Sequence, residues 1–380
     1  MSKKIIGQTL LEVANAIESG EFGKKIKIGL TTLGSEHGVD NLVNGANLAK
    51  SNLFDIVLIG PKVDTELEII EVNCEKDMHN KMEELLDSGY IDACVTMHYN
   101  FPIGVSTVGR VVTPGKGKEM ILATTTGTSA TNRIESMVRN AIYGVATAKS
   151  IGIKKPKVGI LNVDGARQVE KCLKELKENG YDLEFAESIR ADGGSVMRGN
   201  DLLAGAPDVM VTDTLSGNIF MKVFSSFTTG GDYESSGYGY GPGVGEDYNR
   251  KILILSRASG TPVVANALKY AYDVAKGNVS EIAKNEFKVA KKAKFDEIIS
   301  STTKKEAKTS EEVKCPEKEV VTTQISGIDI MDLEEAVKEL WKNNVYAESG
   351  MGCTGPIVLV NESKGEIAVN ILLKAGYTAK

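Results

Sequence analysis

Long apolar runs are missing from this chain: no stretch approaches the roughly 18 residues that a membrane-spanning helix needs, and no membrane role is expected. A secretory leader is not expected either. The N-terminal MSKKIIGQTLLEVANAIESGEF carries early lysines but then interleaves Gln8, Glu12, Asn15 and Glu18 among Leu10, Val13, Ala14 and Ile17, the pattern of a helix within residues 1–24. Cysteines number only five, are odd in count and lack paired spacing, which points to reduced thiols and a cytoplasmic protein. Positive charge is also short. A net charge of −6 argues against a nucleic-acid surface, yet leaves small anions open, because a helix N-terminus can bind phosphate without a basic side chain. His37 and His79 have no spacing to each other or to a cysteine that suggests zinc, so no metal is expected.

What is present is an ordinary α/β composition, 42% hydrophobic and 25% charged, on a chain of 380 residues, long enough for two packed lobes. From Lys25 onward short β-branched runs alternate with helical patterns: IKIGL, then Val39 to Ser51, FDIVLIG, Met78 to Gly89, IDACVT, a turn, EMILAT, and a helix from about Thr131 to Ser150. The rhythm places a first lobe at 25–155. It resumes with KVGILNV, a helix bearing Val169, Cys172, Leu173 and Leu176, LEFAESI, and DVMVT followed by a helix through Ile219 to Phe227, giving a second lobe at 156–283. The glycine run SSGYGYGPGVGEDYN before KILILS lacks the position and spacing of a dinucleotide fingerprint and reads as a mobile loop or an active-site lid. Residues 284–324, rich in lysine and glutamate, read as a solvated helix plus linker. Cys315 there is incidental.

The remaining residues, 325–380, form a small module. Asp332 and Glu335 resemble a capping box for a helix with Leu333, Ala336, Val337, Leu340 and Trp341 on one face. Strand VYAES, the turn Gly350-Met351-Gly352-Cys353-Thr354-Gly355-Pro356 and strand IVLVN follow. A thiol among glycines is open to substrate and to backbone N–H groups, so Cys353 reads as a reactive cysteine; the competing reading is a small buried residue in a tight turn. Cys172 and Cys94 lie in apolar elements and read as core, with a second redox thiol the alternative for Cys94.

In open α/β sheets ligands bind beyond the carboxyl ends of strands. Four such loops hold small polar residues: Leu33 to Gly38, Met97 to Pro102, Thr124 to Ser129 and Asp213 to Asn218. In the last, Ser216, Gly217 and Asn218 at a helix mouth offer N–H groups, a cap side chain and the positive dipole end to an anion; an ordinary N-cap is the alternative.

The run RGNDLLAGAPDVMVTDTLSGNIFMKVFSS resembles a segment of the phosphate acyltransferases of bacterial phospholipid synthesis, as do IGLTTLGSEHGVDNLVNGA and VGILNVDG. With the lysine-rich extension and GMGCTGPIVLVN, the chain resembles the family of component C alpha subunits of the glycine/sarcosine/betaine reductase complex. The resemblance implies an α/β fold of bilobed open sheets with helices on both faces, phosphate acyltransferase-like and of the isocitrate/isopropylmalate dehydrogenase-like architecture, with an appended C-terminal module. It implies an acetyl thioester on Cys353, transfer of the acetyl group to inorganic phosphate and release of acetyl phosphate, with no cofactor. Asp213 would orient the site or accept a proton; Ser216, Gly217 and Asn218 would hold phosphate; Gly352 and Thr354 amides would face the oxyanion. Asn100 carries over from a substrate loop, and His98 is either catalytic or a partner for a backbone carbonyl. Implied partners are the component C beta subunit, selenoprotein component A and a second copy in a homo-oligomer. The alternatives are a freestanding acyl-carrier-protein:phosphate acyltransferase and a non-catalytic scaffold subunit.

Overall fold

The computed structural model describes residues 2–19, 25–191, 193–306, 313–328, 332–352 and 355–378. Helix α1 (Ser2–Ser19) is followed by strand β1 (Ile26–Thr31), α2 (Gly38–Ala49), β2 (Phe54–Gly60), β3 (Glu68–Glu71), α3 (Glu75–Asp87) and β4 (Ala93–Thr96). Next come β5 (Val105–Val112), β6 (Glu119–Thr128), α4 (Arg133–Ser150), β7 (Lys157–Leu161), α5 (Ala166–Glu178), β8 (Glu184–Phe185) and β9 (Val196–Met197). Then α6 (Gly199–Ala204), β10 (Val209–Val211), α7 (Thr214–Ser226), β11 (Gly241–Val244) and β12 (Ile252–Ile254) lead into α8 (Thr261–Lys276), α9 (Val279–Lys292) and α10 (Phe295–Glu306). No helix among the described residues is long and apolar enough to cross a membrane.

These strands form one mixed sheet in the order β3-β2-β1-β4-β12-β11-β5-β6-β10-β7-β8, with β9 also on β7. Two parallel halves, β3 to β12 and β6 to β8, are joined by β11 and β5, which run antiparallel to each other and to the strands they adjoin on either side. Alternate strand residues feed two cores. Ile28, Leu30, Ile121, Ala123, Val209 and Val211 pack beneath α2, α4, α5, α8 and α9, while Met120, Leu122 and Met210 face Met78 and Met82 of α3 and Met221 and Phe224 of α7. Helices thus cover both faces, as the fold class requires. Cys172 lies in the first core. Cys94 is wholly buried in the second, where desolvation pushes its thiol well above the ordinary range, so it packs as a core residue and not as a redox thiol.

The sheet does not divide at residue 155. β4, from 25–155, pairs with β12, and β6 pairs with β10, both partners coming from 156–283. A βαβ rhythm records each crossover but not which neighbour the returning strand meets. β5, expected only as a turn, is one of the two joining strands. The other is β11, so the glycine run is neither a mobile loop nor a lid. Gly241 to Val244 are fully buried, Gly241 has φ +84°, a side chain there would collide with the Val108 carbonyl, and one at Gly243 would enter the Phe101 ring. The glycines mark close backbone packing.

Residues 284–306 are not a solvated helix. Phe287, Ala290, Phe295 and Ile298 are buried, and Phe287 packs against Tyr143 and Phe295. The lysines and glutamates cover an outer face over a buried apolar stripe.

The C-terminal module has its own sheet and core. Strands β13 (Thr323–Ser326), β14 (Ala347–Gly352) and β15 (Gly355–Val360) are antiparallel in the order β13-β15-β14, backed by α11 (Leu333–Lys342) and α12 (Gly365–Ala375). Leu333, Ala336, Val337, Leu340, Val358, Val360 and Leu372 form a cluster that shares no residue with the two main cores. Asp332 stands at the N-cap of α11 but makes no side-chain cap hydrogen bond, so the expected capping box is absent.

Gly241→Ala is expected to cost more than about 2 kcal/mol in chemical unfolding, because both the left-handed backbone and the Val108 carbonyl oppose a methyl group. Gly117→Ala, at φ +62° with open space around it, isolates the backbone contribution at about 1 kcal/mol. Equal losses at the two positions would contradict close packing at β11.

Candidate functional site

The ends of β6 and β10 and the starts of α4 and α7 converge at one place. Asp213 caps α7: its Oδ1 accepts from the Ser216 N–H at 3.0 Å and its Oδ2 from the Ser216 hydroxyl at 2.8 Å. The Gly217 N–H donates to the Asp213 carbonyl at 3.0 Å. These bonds occupy donors that the sequence offered to an anion. Those left without a partner among the described residues are the Thr214 and Leu215 amides, at the first two helical positions, where the positive end of the helix dipole lies.

Gly217 is needed where it stands, since a side chain there would overlap the Thr124 carbonyl, so α7 lies backbone against strand on β6. Thr212 Oγ1 donates to that same Thr124 carbonyl at 3.2 Å, and Asn218 Nδ2 donates to the Thr125 carbonyl at 3.1 Å. Asn140 Nδ2 holds the Thr212 carbonyl at 3.0 Å, and its Oδ1 accepts from the Ser129 hydroxyl. Ser216, Gly217 and Asn218 therefore build the helix start and fix it to β6, with their own polar groups turned to this chain. Thr124 to Thr128 belong to β6, not to a loop.

A cation completes the cluster. Arg133, the first residue of α4, donates from Nη2 to Asp213 Oδ2 at 3.3 Å and from Nε to the Asp164 carbonyl at 3.0 Å, with its side chain about half exposed at 47%. Ser216 and Arg133 thus both engage the Asp213 carboxylate. Arg133 was not evident from sequence, because 80 residues separate it from Asp213 and only the β6-β10 pairing brings them together.

His98 and Asn100 are exposed after β4, in the other half of the sheet, and their side chains share no hydrogen bond with the Asp213 to Asn218 turn. Among the described residues the backbone carbonyl of His98 is engaged by Thr96 Oγ1 at 3.5 Å. The two halves meet at α7, where Lys222 Nζ reaches Ser256 Oγ at 3.5 Å and buried Glu234 at 3.7 Å.

Cys353 and Thr354 lie outside the described residues, as do the side chains of residues 351–355. The strands on either side are described: Gly352 pairs with Gly355 at the end of the β14-β15 hairpin. Ser349 of β14 donates to Glu334 at the start of α11 at 2.8 Å. Next to it, Asp332 Oδ1 accepts from Gln168 Nε2 on the first turn of α5 at 2.8 Å, four residues beyond Asp164. Contacts thus run from the cysteine hairpin through α11 and α5 to Arg133 and Asp213. Among the described residues no group of three His, Cys, Asp or Glu is placed to hold a metal ion.

Asp213→Ala is expected to cost about 1 kcal/mol in chemical unfolding, the usual loss for an N-cap carboxylate. Asp213→Ser, which can still accept from the Ser216 amide, is expected to recover most of it. No loss in Asp213→Ala would remove the cap from this account.

The profile of a family described as "Fatty acid synthesis protein" matches residues 26–359. The "Glycine/sarcosine/betaine reductase complex component C subunit alpha" of Peptoclostridium acidaminophilum is 68% identical over 99% of each chain. A "Phosphate acyltransferase" of Thermotoga petrophila is 27% identical over 52% of this chain and 67% of its own. The crystal structure of a branched-chain phosphotransacylase from Enterococcus faecalis V583 covers 66% of this chain and 99% of its own at a TM-score of 0.48 and 17% identity, a likeness too slight to argue from. The chain belongs to the fatty acid synthesis protein family and, within it, to the component C alpha subunits of the glycine/sarcosine/betaine reductase complex.

Proposed function

We propose that this chain is the acyl-transferring subunit of such a complex: Cys353 carries an acetyl thioester, and the acetyl group passes to inorganic phosphate. In this reaction a phosphate oxygen bonds to the acetyl carbon, the carbon–sulfur bond breaks, and the thiolate leaves with the electron pair, giving acetyl phosphate. A thiolate is a far better leaving group than an alkoxide, which suits a thioester to phosphorolysis.

The reading draws on one observation, the hydrogen bond that ties the start of α11 in the Cys353-bearing module to α5, whose preceding loop holds Arg133 of the Asp213 cluster. Phosphate would lie against the Thr214 and Leu215 amides, with Arg133 as its counter-charge. Arg133 is then also a candidate for lowering the pKa of the thiol, a cation that the glycine motif does not supply. Asp213 holds Arg133 and the helix start in place. Gly352 and Thr354 amides would receive the oxyanion, and His98 and Asn100, on the opposite half of the sheet, are left for substrate entry or for docking. On this reading the acetyl unit arrives from a carboxymethyl group on selenoprotein component A, the beta subunit of component C takes part, and no cofactor enters the step. A freestanding phosphate acyltransferase needs no covalent thiol, and the separately folded module tells against it.

Breakdown of acetyl phosphate in the presence of arsenate, whose acetyl ester hydrolyses in water, is expected to disappear in Cys353→Ala, and mass spectrometry of the wild-type Cys353 peptide to show a two-carbon adduct. Arsenolysis that survives in Cys353→Ala would sink the thioester mechanism. Arg133→Ala is expected to raise the half-saturating phosphate or arsenate concentration at least about tenfold, the loss of one charge-assisted contact of about 1.4 kcal/mol. Unchanged phosphate dependence in that variant would leave Arg133 as a purely structural residue.

A further inference from the structure

Helix α4 touches the step from Thr212 to Asp213 at two points. Its first residue, Arg133, reaches the Asp213 carboxylate, and Asn140, two turns further along the same face, reaches the Thr212 carbonyl. Asn140, Ser106 and Thr212 are wholly buried and Ser129 is nearly so. Their hydrogen bonds run in one direction. A carbonyl can only accept, so the Asn140 nitrogen faces Thr212; its amide oxygen then takes the Ser129 proton, and Ser106 is left to donate to Ser129 at 2.7 Å. This chain of bonds links β5, the end of β6, α4 and the end of β10.

Apolar contact does not place α4 along its own axis. Gly144, one turn past Asn140, lets the helix lie so close to Ala123 of β6 and Val209 of β10 that a methyl group there would collide with both side chains. Ala141, Ile142 and Val145 are buried around it. Such packing sets the distance from the sheet, but burial has no preferred direction and tolerates a small slide. A hydrogen bond weakens steeply out of alignment, and the contact between Arg133 and Asp213, at 3.3 Å, is already at the long end of the range, so a small slide of α4 would part the pair. An apolar side chain of the same size would fill the space of Asn140 with no partners to find, and a buried polar group in such a place is an attested device for fixing one register.

We infer that Asn140 is a positioning residue for the anion site: its amide pins α4 to the end of β10 and so holds the Arg133 guanidinium where it meets both Asp213 and a phosphate at the α7 start. The inference rests on the phosphate site proposed above and adds to it a fully buried side chain that acts through Arg133. Ser129 supports it in turn, since the hydroxyl on the amide oxygen fixes which way the amide faces.

Isothermal titration calorimetry of inorganic phosphate into the full chain tests the inference without turnover. Asn140→Leu is expected to weaken phosphate binding at least about fivefold and Arg133→Ala about tenfold. The double variant is expected to bind no worse than Arg133→Ala alone, because the amide acts through the guanidinium; a general loosening of the fold would weaken both backgrounds alike. Losses that multiply in the double variant overturn the inference, and so does a folded Asn140→Leu or Arg133→Ala chain that binds as the wild type does. A wild type that binds no phosphate is a different result, since it removes the proposed site itself and this inference with it. Should Asn140→Leu fail to fold, Ser129→Ala, which deletes a single oxygen, supplies the second measurement. It is expected to weaken binding about threefold in the wild-type background, the loss of one neutral hydrogen bond, and not at all beside Arg133→Ala. Equal loss in the two backgrounds, or none in either, overturns the inference.

Discussion

The whole arrangement depends on a close approach of two backbones at the centre of the sheet. β11 carries glycine at Gly241 and Gly243, and there its main chain lies on the Val108 carbonyl of β5 and against the Phe101 ring. These two strands join the parallel halves, so their spacing decides how the carboxyl ends of the halves face one another. A side chain at Gly241 would wedge the joint open, and α7 could not sit on β6 while Lys222 reached across to Ser256. The Thr125 hydroxyl, bonded to the Tyr240 carbonyl at 2.9 Å, ties the same joint to the strand that underlies the site.

Much of this was legible in residue order. Short β-branched runs located β1, β2, β4, β6, β7, β10 and β12, and the 3.6-residue period located their helices. The central strands were not legible, for opposite reasons: β11 is so rich in glycine that it has no side-chain pattern to read, and β5, buried along most of its length, interrupts its valines with Ser106, Thr107, Gly109 and Arg110. A dense lysine content likewise concealed Phe287 and Phe295. At the site, the helix mouth at Asp213 to Asn218 followed from the local sequence, whereas the cap made by Asp213 and the close approach of Gly217 to Thr124 came only with the packing on β6. Nor did Arg133 follow from it, because a contact between a helix start and a loop 80 residues away depends on strand order, which a single sequence does not specify.

An acidic chain can hold an anion site because binding responds to local geometry, not to net charge. The Asp213 carboxylate occupies the Ser216 amide, the two preceding amides have no partner among the described residues, and Arg133 offsets the negative charge introduced by the cap. Each helix-end contribution is modest, about 0.3–1 kcal/mol for the dipole and up to about 3 kcal/mol for a charge-assisted hydrogen bond. On the proposed reading it is their convergence that would hold phosphate, with no deeply buried charge.

Gln168 gives the cysteine module its seat, and this side chain is only half satisfied. Its amide nitrogen donates to Asp332, while its carbonyl oxygen is buried without a donor among the described residues. A hydrogen bond to a carboxylate contributes about 2 kcal/mol, and a stranded buried acceptor costs about as much. At this residue, then, the gain and the cost nearly cancel, while Leu333, Val337, Leu340 and Val358 pack within the module itself. The module's core is thus complete without Gln168, and this link between α5 and α11 adds little net free energy of its own.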